Sequence, residues 1–180
     1  SPDAWGRRVL MHKHALDKNS GELDELTCML ESGSNRIGAL DFQQSATSYI
    51  PRLSEAVTLE QLQESTDKVT QGLQLSPELA AELQHGTAIG GARPKAIIET
   101  HDKQYVAKFS LSTDLYNVVK AEYIAMRLAK VAGLDVSHVE LQTALNRDVL
   151  LVERFDRVKG ANGWQRKMMV SALTILELDE

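Results

Sequence analysis

The sequence predicts an α+β fold, in which a mainly helical region precedes an antiparallel sheet with one packed helix. Residues 21–31 and 59–73 carry apolar side chains at the helical period, and Ser76-Pro77-Glu78 begins a third helix with serine at the cap and proline in the first turn. Beyond the boundary expected near His85-Gly86, short apolar runs alternate with brief polar turns, which is typical of hairpin-paired strands. One longer amphipathic segment among them has the period of a helix.

The composition is that of a globular chain without a membrane span. Of its 180 residues, 43% are hydrophobic, and no apolar run approaches the roughly 18–20 residues that a membrane-spanning helix needs. The single cysteine, Cys28, excludes an internal disulfide and suits a reducing compartment, so we expect a cytoplasmic location. The net charge of −5 disfavours direct binding of nucleic acid, which usually needs a basic surface. Ser1-Pro2-Asp3 is polar and lacks an initiator methionine, so we expect a trimmed chain without a signal peptide.

Two local patterns in the first half bear on helix starts and metal binding. The segment Thr58-Leu59-Glu60-Gln61 has the spacing of a capping box, which predicts a helix beginning after Thr58. His12 and His14 could share a metal with Cys28 or Asp17, but no second ligand pair has the spacing of a zinc site. A pair of surface histidines is the favoured interpretation, and no metal site is predicted.

The most informative stretch runs from Gly86 to Phe109. A glycine-containing turn is followed by a strand, a short turn and a second strand, on which Lys108 lies within an apolar run. Because Gly90 and Gly91 have no Cβ, backbone N–H groups there can approach an anion closely. Lys108 could then reach phosphate oxygens as a point charge. This order is the one that a nucleotide-phosphate site of the kinase type needs, although a Gly-Gly turn in a hairpin is commonly only a turn.

The segment from Asp114 to Val131 predicts one amphipathic helix, with Asp114 as its cap and Gly133 as its stop. Its apolar stripe contains Leu115, Val118, Val119, Ala125, Met126 and Ala129. Glu122 lies in the middle of this stripe, where a carboxylate is costly unless it is paired. Kinases hold a strand lysine on the phosphates with a carboxylate from the next helix, so we expect Lys108 and Glu122 to form an ion pair. The alternatives are that Glu122 reaches solvent or pairs with another cation.

Two further strands are predicted over residues 139–145 and 149–152, joined by a hairpin turn at Asn146-Arg147-Asp148. The second strand runs directly into Glu153-Arg154-Phe155-Asp156-Arg157, where the apolar pattern stops. In a two-lobed kinase, the last strand of the small lobe ends in a linker whose backbone pairs with adenine. The pattern alone favours a charged loop that leaves the sheet.

Beyond these features the sequence identifies no catalytic group. A modest basic cluster contains Arg154, Arg157, Lys159 and Arg166, and a solvated loop is favoured over contact with phosphate or a partner. The serines at positions 110, 112 and 171 lack any placed base, so no nucleophile is predicted.

The motifs described above occur together in an order that resembles the HipA-family toxin kinases, which are serine/threonine kinases of bacterial toxin–antitoxin modules. The resemblance rests on Ile89 to Ala96, Val106 to Phe109, Ala121 to Tyr123, and Leu151 to Arg157. Trp5 to Arg8 and Arg36 to Leu40 also resemble the N-terminal region of the family, so the resemblance covers essentially the whole chain.

The resemblance implies a protein-kinase-like N-lobe that binds ATP, with Mg²⁺ as the metal. The implied cofactor-binding residues are Gly90, Gly91, Ala92, Arg93, Pro94, Lys95, Lys108, Glu122, Glu153, Arg154 and Phe155. In the family's arrangement, the first six form the phosphate loop, Lys108 contacts phosphate beside Glu122, and Glu153 to Phe155 line the adenine through backbone groups.

The chain departs from the family pattern in two ways. Aligned on Lys95, Ala88 takes the place of a loop serine that becomes autophosphorylated in family members, so we expect this modification to be missing, with Thr87 as the neighbouring hydroxyl. Family members are also much longer, and their catalytic and metal-binding aspartates lie in a helical C-terminal lobe without a counterpart here. We therefore expect a fragment with a mainly helical part over 1–85, a kinase-like N-lobe over 86–157, and a hinge loop with the start of the C-terminal lobe over 158–180.

The resemblance also implies a reaction and partners. The parent protein would transfer the γ-phosphoryl group of ATP to serine or threonine of a protein, such as an aminoacyl-tRNA synthetase, and would be neutralised by a HipB-like DNA-binding antitoxin. We expect the 180-residue chain alone to be inactive, because phosphoryl transfer depends on carboxylates that it lacks. The alternative is a non-catalytic interaction domain that binds an antitoxin.

Overall fold

A computed structural model describes residues 2–16, 23–52, 57–73, 89 and 91–178. The helices are α1 (Ala4–Leu16), α2 (Glu25–Glu31), α3 (Leu59–Thr70), α4 (Val118–Val131) and the short α5 (Ala172–Ile175). The strands are β1 (Lys95–Glu99), β2 (Gln104–Phe109), β3 (Val139–Ala144), β4 (Arg147–Glu153), β5 (Arg157–Gly160) and β6 (Gly163–Arg166). The predicted α+β class is confirmed. None of the described helices is long and apolar enough to span a membrane.

Four strands form one antiparallel sheet in the order β1-β2-β4-β3, and β5 pairs with β6 in a separate hairpin. Strand β4 is central, so its apolar run Val149-Leu150-Leu151-Val152 meets side chains on both faces of the sheet. The register pairs Lys108 of β2 with Leu150 of β4. Because side chains alternate along a strand, Lys108 and Leu150 project from the same face of the sheet.

Helix α4 covers that face. Its buried Val119 packs with Val139 and Leu150, and Tyr123 and Met126 complete the cluster. The face of α4 that contacts the sheet is therefore also the face that carries Glu122, as the helical period requires.

The opposite face of the sheet packs against the N-terminal helices. Trp5 of α1 and Leu62 of α3 are fully buried in one cluster with Phe109, Val149 and Leu151. Arg147 adds a bidentate ion pair with Asp67 of α3. The N-terminal helices and the sheet thus share one core, and the proposed division at residue 85 stays a prediction.

Helix α4 begins three residues later than predicted. Asn117, not Asp114, is its cap, and the Asn117 side chain accepts a 2.9 Å hydrogen bond from the Lys120 N–H. Asp114 is unsuitable as a cap here because its carboxylate is held by Arg93. Leu115 consequently lies outside the helix and is fully exposed. The predicted stop is confirmed, since Gly133 has a φ of +83° just after the last turn.

The turn between β3 and β4 also lies earlier than predicted. Ala144 pairs with Arg147, which leaves Leu145 and Asn146 as a two-residue loop. Their φ values are +49° and +60°, as a tight hairpin turn of the I′ type requires at both central positions. Arg147 and Asp148, which were predicted to lie in the turn, begin β4 instead.

In the N-terminal half, the predicted capping box is confirmed: Thr58 and Gln61 exchange side-chain-to-backbone hydrogen bonds at the start of α3. This helix ends at Thr70, earlier than predicted, where Gly72 has a φ of +70°. Helix α2 begins at Glu25, with Asp24 as its cap. The predicted helix at Ser76 and the boundary at His85-Gly86 lie outside the described residues.

Candidate nucleotide-binding site

Lys108 and Glu122 form the ion pair that the sequence predicts. The Lys108 Nζ lies 2.5 Å from the Glu122 Oε1, between strand β2 and helix α4. The two side chains remain 30% and 36% exposed. The pair is therefore only partly buried, because it lies at the rim of the sheet–helix interface, where water reaches both groups.

The glycine turn before β1 is held closed by Lys95. The Lys95 Nζ donates a 2.7 Å hydrogen bond to the Gly91 carbonyl and lies 3.7 Å from the Asp3 carboxylate of the N-terminal segment. Burial lowers the pKa of the Lys95 ammonium, an effect that Asp3 opposes and Lys108 reinforces. Gly91 has a φ of +116°, and a Cβ there would lie 2.8 Å from the Lys95 Nζ, so the position requires glycine.

The residues around this turn differ in solvent exposure and in their hydrogen bonds. Gly91 and Ala92 are exposed, whereas Pro94 is buried and its carbonyl accepts a bond from the Phe109 N–H. Arg93 forms a bidentate pair with Asp114, at 2.9 and 2.6 Å. The Arg93 side chain is therefore committed to Asp114 in this structure. Gly90, together with Thr87 and Ala88, lies outside the described residues, so the prediction about loop phosphorylation stays a prediction.

The segment after β4 presents backbone groups at the end of the sheet. The Glu153 N–H donates to the His138 carbonyl at 2.9 Å, and the Arg154 N–H donates to the Gln104 carbonyl at 2.8 Å. Among the backbone hydrogen bonds that the described residues form outside the helices and strands, none involves the Glu153 carbonyl or the Phe155 N–H. The Phe155 side chain is 64% exposed. This carbonyl and this N–H, at the end of β4, are therefore the candidate groups for binding a ligand.

The two arginines that flank Phe155 do not form a solvated loop, and that interpretation of the sequence is wrong. Arg154 and Arg157 are buried, and both donate to the buried carboxylate of Asp156. Their remaining N–H groups donate to the carbonyls of Asn35, Arg36 and Gly38. Buried charges are tolerated when they are paired and hydrogen-bonded. Here one carboxylate pairs with both arginines, and carbonyls more than a hundred residues away in the sequence accept further hydrogen bonds from them.

Burial and neighbouring charges change the pKa values of groups in this cluster. Burial alone would raise the pKa of the Asp156 carboxyl, but the hydrogen bonds and charges of Arg154, the Gly38 N–H and Arg157 outweigh that effect and hold it below its usual range. Burial, together with the neighbouring charge of Arg154, lowers the pKa of the Arg157 guanidinium to about 10. The Asp156 carboxyl and the Arg157 guanidinium are therefore both charged at neutral pH.

The other two members of the predicted basic cluster lie apart from this centre. Lys159 of β5 lies over the Trp164 ring of β6, with 4.7 Å from its Nζ to the ring centroid. Arg166 donates a 2.7 Å bond to the Ser34 carbonyl. These partners could not be predicted from the sequence, because one is an aromatic ring face and the other is a backbone carbonyl.

Two clefts are lined by other residues. One of about 340 Å³ lies where α4 meets β3, between Met126 and Val139, and one of about 250 Å³ lies beside Asp114 and Asp148. Neither is lined by Lys108 or Glu122. Among the described residues, no group of three or more histidine, cysteine or acidic side chains could hold a metal ion.

A strand lysine paired with a carboxylate of the adjoining helix, over an antiparallel sheet, is the arrangement of the small lobe of protein kinases. The family model described as the HipA-like C-terminal domain matches residues 87–180. That match covers just over half of the chain, so the chain belongs to the HipA family.

The solved structures contain a relative with the same fold. It is a chain of the complex of HipA, HipB and operator DNA from the Shewanella oneidensis MR-1 toxin–antitoxin system, with a TM-score of 0.62 and 18% sequence identity. The match covers 98% of this chain and 42% of that chain, so the present sequence spans less than half the length of that relative. A search of curated proteins found no match.

Proposed function

We propose that this chain is the nucleotide-binding lobe of a HipA-type toxin kinase, which transfers the γ-phosphoryl group of ATP to serine or threonine of a protein. The observation that carries the proposal is the Lys108–Glu122 pair, with 2.5 Å between strand lysine and helix carboxylate. In kinases this pair holds the lysine against the nucleotide phosphates and must be in place for phosphoryl transfer. Membership of the HipA family supports the same assignment.

In this proposal, ATP lies along the open edge of the site. The exposed turn at Gly91 and Ala92 faces the phosphates with its backbone N–H groups, and the Lys108 ammonium supplies a positive charge. The adenine exchanges hydrogen bonds with the Glu153 carbonyl and the Phe155 N–H, which take part in none of the backbone hydrogen bonds found outside the helices and strands of the described residues. The side chain of Arg93 takes part only if it leaves Asp114.

The magnesium ion is assigned to carboxylates beyond this lobe. Among the described residues no acidic cluster could hold it, and Glu122 is committed to Lys108. Mg²⁺ neutralises phosphate charge in phosphoryl transfer when bound. We therefore propose that the 180-residue chain binds nucleotide without transferring phosphate.

The proposed binding partner and protein substrate are inferred from the structural relative and from the family resemblance. The structural relative is part of a HipA–HipB–DNA complex, and we propose a HipB-like antitoxin as the binding partner here. An aminoacyl-tRNA synthetase is proposed as the protein substrate, by family resemblance alone. Direct contact with DNA is not proposed, because this chain carries a net charge of −5.

A non-catalytic interaction domain is the second candidate. It is favoured by the apolar side chains that α4 exposes away from the sheet, at Ile124, Leu128 and Val131. The same side chains would also be covered by a C-terminal lobe in a complete kinase. The two functions differ in nucleotide binding, which only the kinase requires.

The deciding experiment compares two proteins. Binding of Mg-ATP is measured by calorimetry for the 180-residue chain and for a version extended through a C-terminal lobe, and transfer of labelled phosphate to protein is measured for both. The proposal predicts nucleotide binding by both and phosphotransfer by the longer version only. Absence of nucleotide binding in both would contradict the kinase assignment and favour the interaction domain. Stoichiometric phosphate transfer by the purified 180-residue chain would contradict the proposal that this chain binds nucleotide without transferring phosphate.

A further inference from the structure

The buried cluster behind Phe155 determines how the peptide that follows β4 is placed. Arg154 and Asp156 point inward and are almost fully buried, whereas Phe155 between them points outward. The Arg154 N–H is bonded to the Gln104 carbonyl at 2.8 Å, and the Asp156 carbonyl accepts from the Lys167 N–H at 3.0 Å. The backbone on both sides of Phe155 is therefore tied down, and its own N–H is left available.

Asp156 is the group on which these restraints converge. One carboxylate oxygen accepts from the Arg154 Nε at 2.9 Å. The other accepts from Arg154 at 2.7 Å, from Arg157 at 2.8 Å and from the Gly38 N–H at 2.7 Å. Carboxylates are acceptor-only groups with about four lone-pair sites, and Asp156 accepts four side-chain or backbone hydrogen bonds, three of them at one oxygen.

The other half of the cluster comes from residues 35–38, far away in the sequence. These residues contribute three carbonyls to the two arginines and one N–H to Asp156. Gly38 has a φ of +73°, and a Cβ there would lie 3.3 Å from the Cβ of Met169. A side chain at Gly38 would therefore be strained by the positive φ and would press tightly against the segment after β6.

We propose that Asp156 is a positioning residue for the adenine: by holding residues 153–157 against residues 35–38, it aims the Phe155 N–H and the Glu153 carbonyl at the base. This inference rests on the proposed nucleotide site and adds to it a role for the N-terminal region. Apolar side chains of similar volume at these positions would stabilise the fold equally well. A buried, hydrogen-bonded polar network in addition fixes one backbone geometry.

The test separates adenine recognition from phosphate recognition. Asp156→Asn and Gly38→Ala disturb the cluster from its two sides, and neither residue touches the nucleotide. Dissociation constants are measured for ATP and for inorganic triphosphate, which has no base. The inference predicts that both variants weaken ATP binding by about tenfold, the scale of one lost hydrogen bond, and leave triphosphate affinity within about twofold.

Asp67→Asn is the matched control, because it breaks a bidentate pair with Arg147 on the far side of the sheet. It should leave the ratio of ATP to triphosphate affinity unchanged, whatever it does to stability. Hydrogen–deuterium exchange provides a readout without ligand: the amides of residues 153–157 should exchange faster in Asp156→Asn but not in Asp67→Asn. If Asp156→Asn does not fold, the same measurements are made on Gly38→Ala, which disturbs the cluster from its other side.

Several results would overturn the inference. Equal weakening of both ligands in Asp156→Asn would show a general structural role, and unchanged ATP affinity in a chain that binds ATP would show that the cluster does not position the base. Failure of the unsubstituted chain to bind ATP would instead overturn the proposed function, and the adenine role with it.

Discussion

Replacing Lys108 with methionine is expected to remove most nucleotide binding while costing little stability. The substitution keeps the long apolar stem of the side chain and removes only the ammonium group. Because Lys108 and Glu122 lie 2.5 Å apart and are about one-third exposed, the pair has both a Coulomb attraction and continued access to water. The two consequences can be estimated separately.

For folding, the gross attraction of two charges near a protein surface is about 4 kcal/mol at 4 Å. Desolvation and the loss of side-chain freedom cancel most of it, and exposed pairs contribute about 0.2–1 kcal/mol. The exposure of 30% and 36% places this pair near the upper end of that range, at about 1 kcal/mol. For binding, a charged hydrogen bond to phosphate contributes about 1.5–3 kcal/mol, so affinity for ATP should fall by roughly 10- to 150-fold.

Urea denaturation of Lys108→Met, Glu122→Gln and the double variant gives the coupling energy of the pair, and calorimetry gives the affinity for Mg-ATP. Glu122→Gln should weaken binding less than Lys108→Met, because it only loosens the lysine. The control is Lys103→Met. Lys103 forms a comparable pair with Glu153, at 2.7 Å and with exposures of 38% and 30%, but it lies at the other end of β2.

A coupling energy near zero, combined with ATP affinity that is equal in Lys108→Met and Lys103→Met, would refute this reasoning. Such a result would mean that Lys108 is one more surface lysine and that its contact with Glu122 carries no function.

Three further predictions concern single positions. Gly91→Ala should lower the free energy of unfolding by about 1–2 kcal/mol and weaken triphosphate binding, because φ is +116° and a Cβ would meet the Lys95 Nζ; urea denaturation showing no loss would contradict the observed turn. Hydrogen bonds from Arg93 hold the pKa of Asp114 below its ordinary value, so this contribution is present above about pH 4 and is lost as acid protonates the carboxyl. The stability of Asp114→Asn should therefore fall less than that of the unsubstituted chain between about pH 6 and pH 3, and equal losses would be inconsistent with the pair. Leu145→Asn should stabilise the chain by about 0.5–1 kcal/mol in calorimetry, because asparagine tolerates the φ of +49° better than leucine does; a lower Tm would argue against that turn.

The Lys108–Glu122 pair was predictable because two simple periods determine it. Alternation along β2 places Lys108 on one face of the sheet, and the helical period places Glu122 in the stripe that covers this face. Both rules act over a few residues, so they need no knowledge of distant segments. The extent of burial was not predictable, since it depends on how closely α4 approaches the rim of the sheet.

The helix start and the hairpin turn were misplaced because contacts with other segments determine both. Asp114 has the chemistry of a cap, but its carboxylate is taken by Arg93, which lies 21 residues earlier. Leucine is an unfavourable residue at positive φ, so nothing in the sequence marked Leu145 as a turn residue. In each case a tertiary contact or strand register outweighed residue preference.

The buried cluster was missed because its partners carry no signal of their own. Arg154 and Arg157 share the nearby carboxylate of Asp156, and most of their other hydrogen bonds go to backbone carbonyls of residues 35–38. Any sequence supplies carbonyls, so a charge run that turns inward has the same composition as one that stays in solvent. The outward aromatic at Phe155 between inward charges was the one available indication.

The central claim, that this lobe binds ATP between the Gly91 turn, Lys108 and the segment after β4, is tested most directly by mapping amide chemical shifts during a titration with ATP. The account predicts that the largest changes fall on Gly91, Ala92, Lys108 and Phe155, and that the Phe155 amide is unaffected when triphosphate replaces ATP. Changes confined to other surfaces, such as the cleft between Met126 and Val139, or no changes at millimolar ATP, would contradict it.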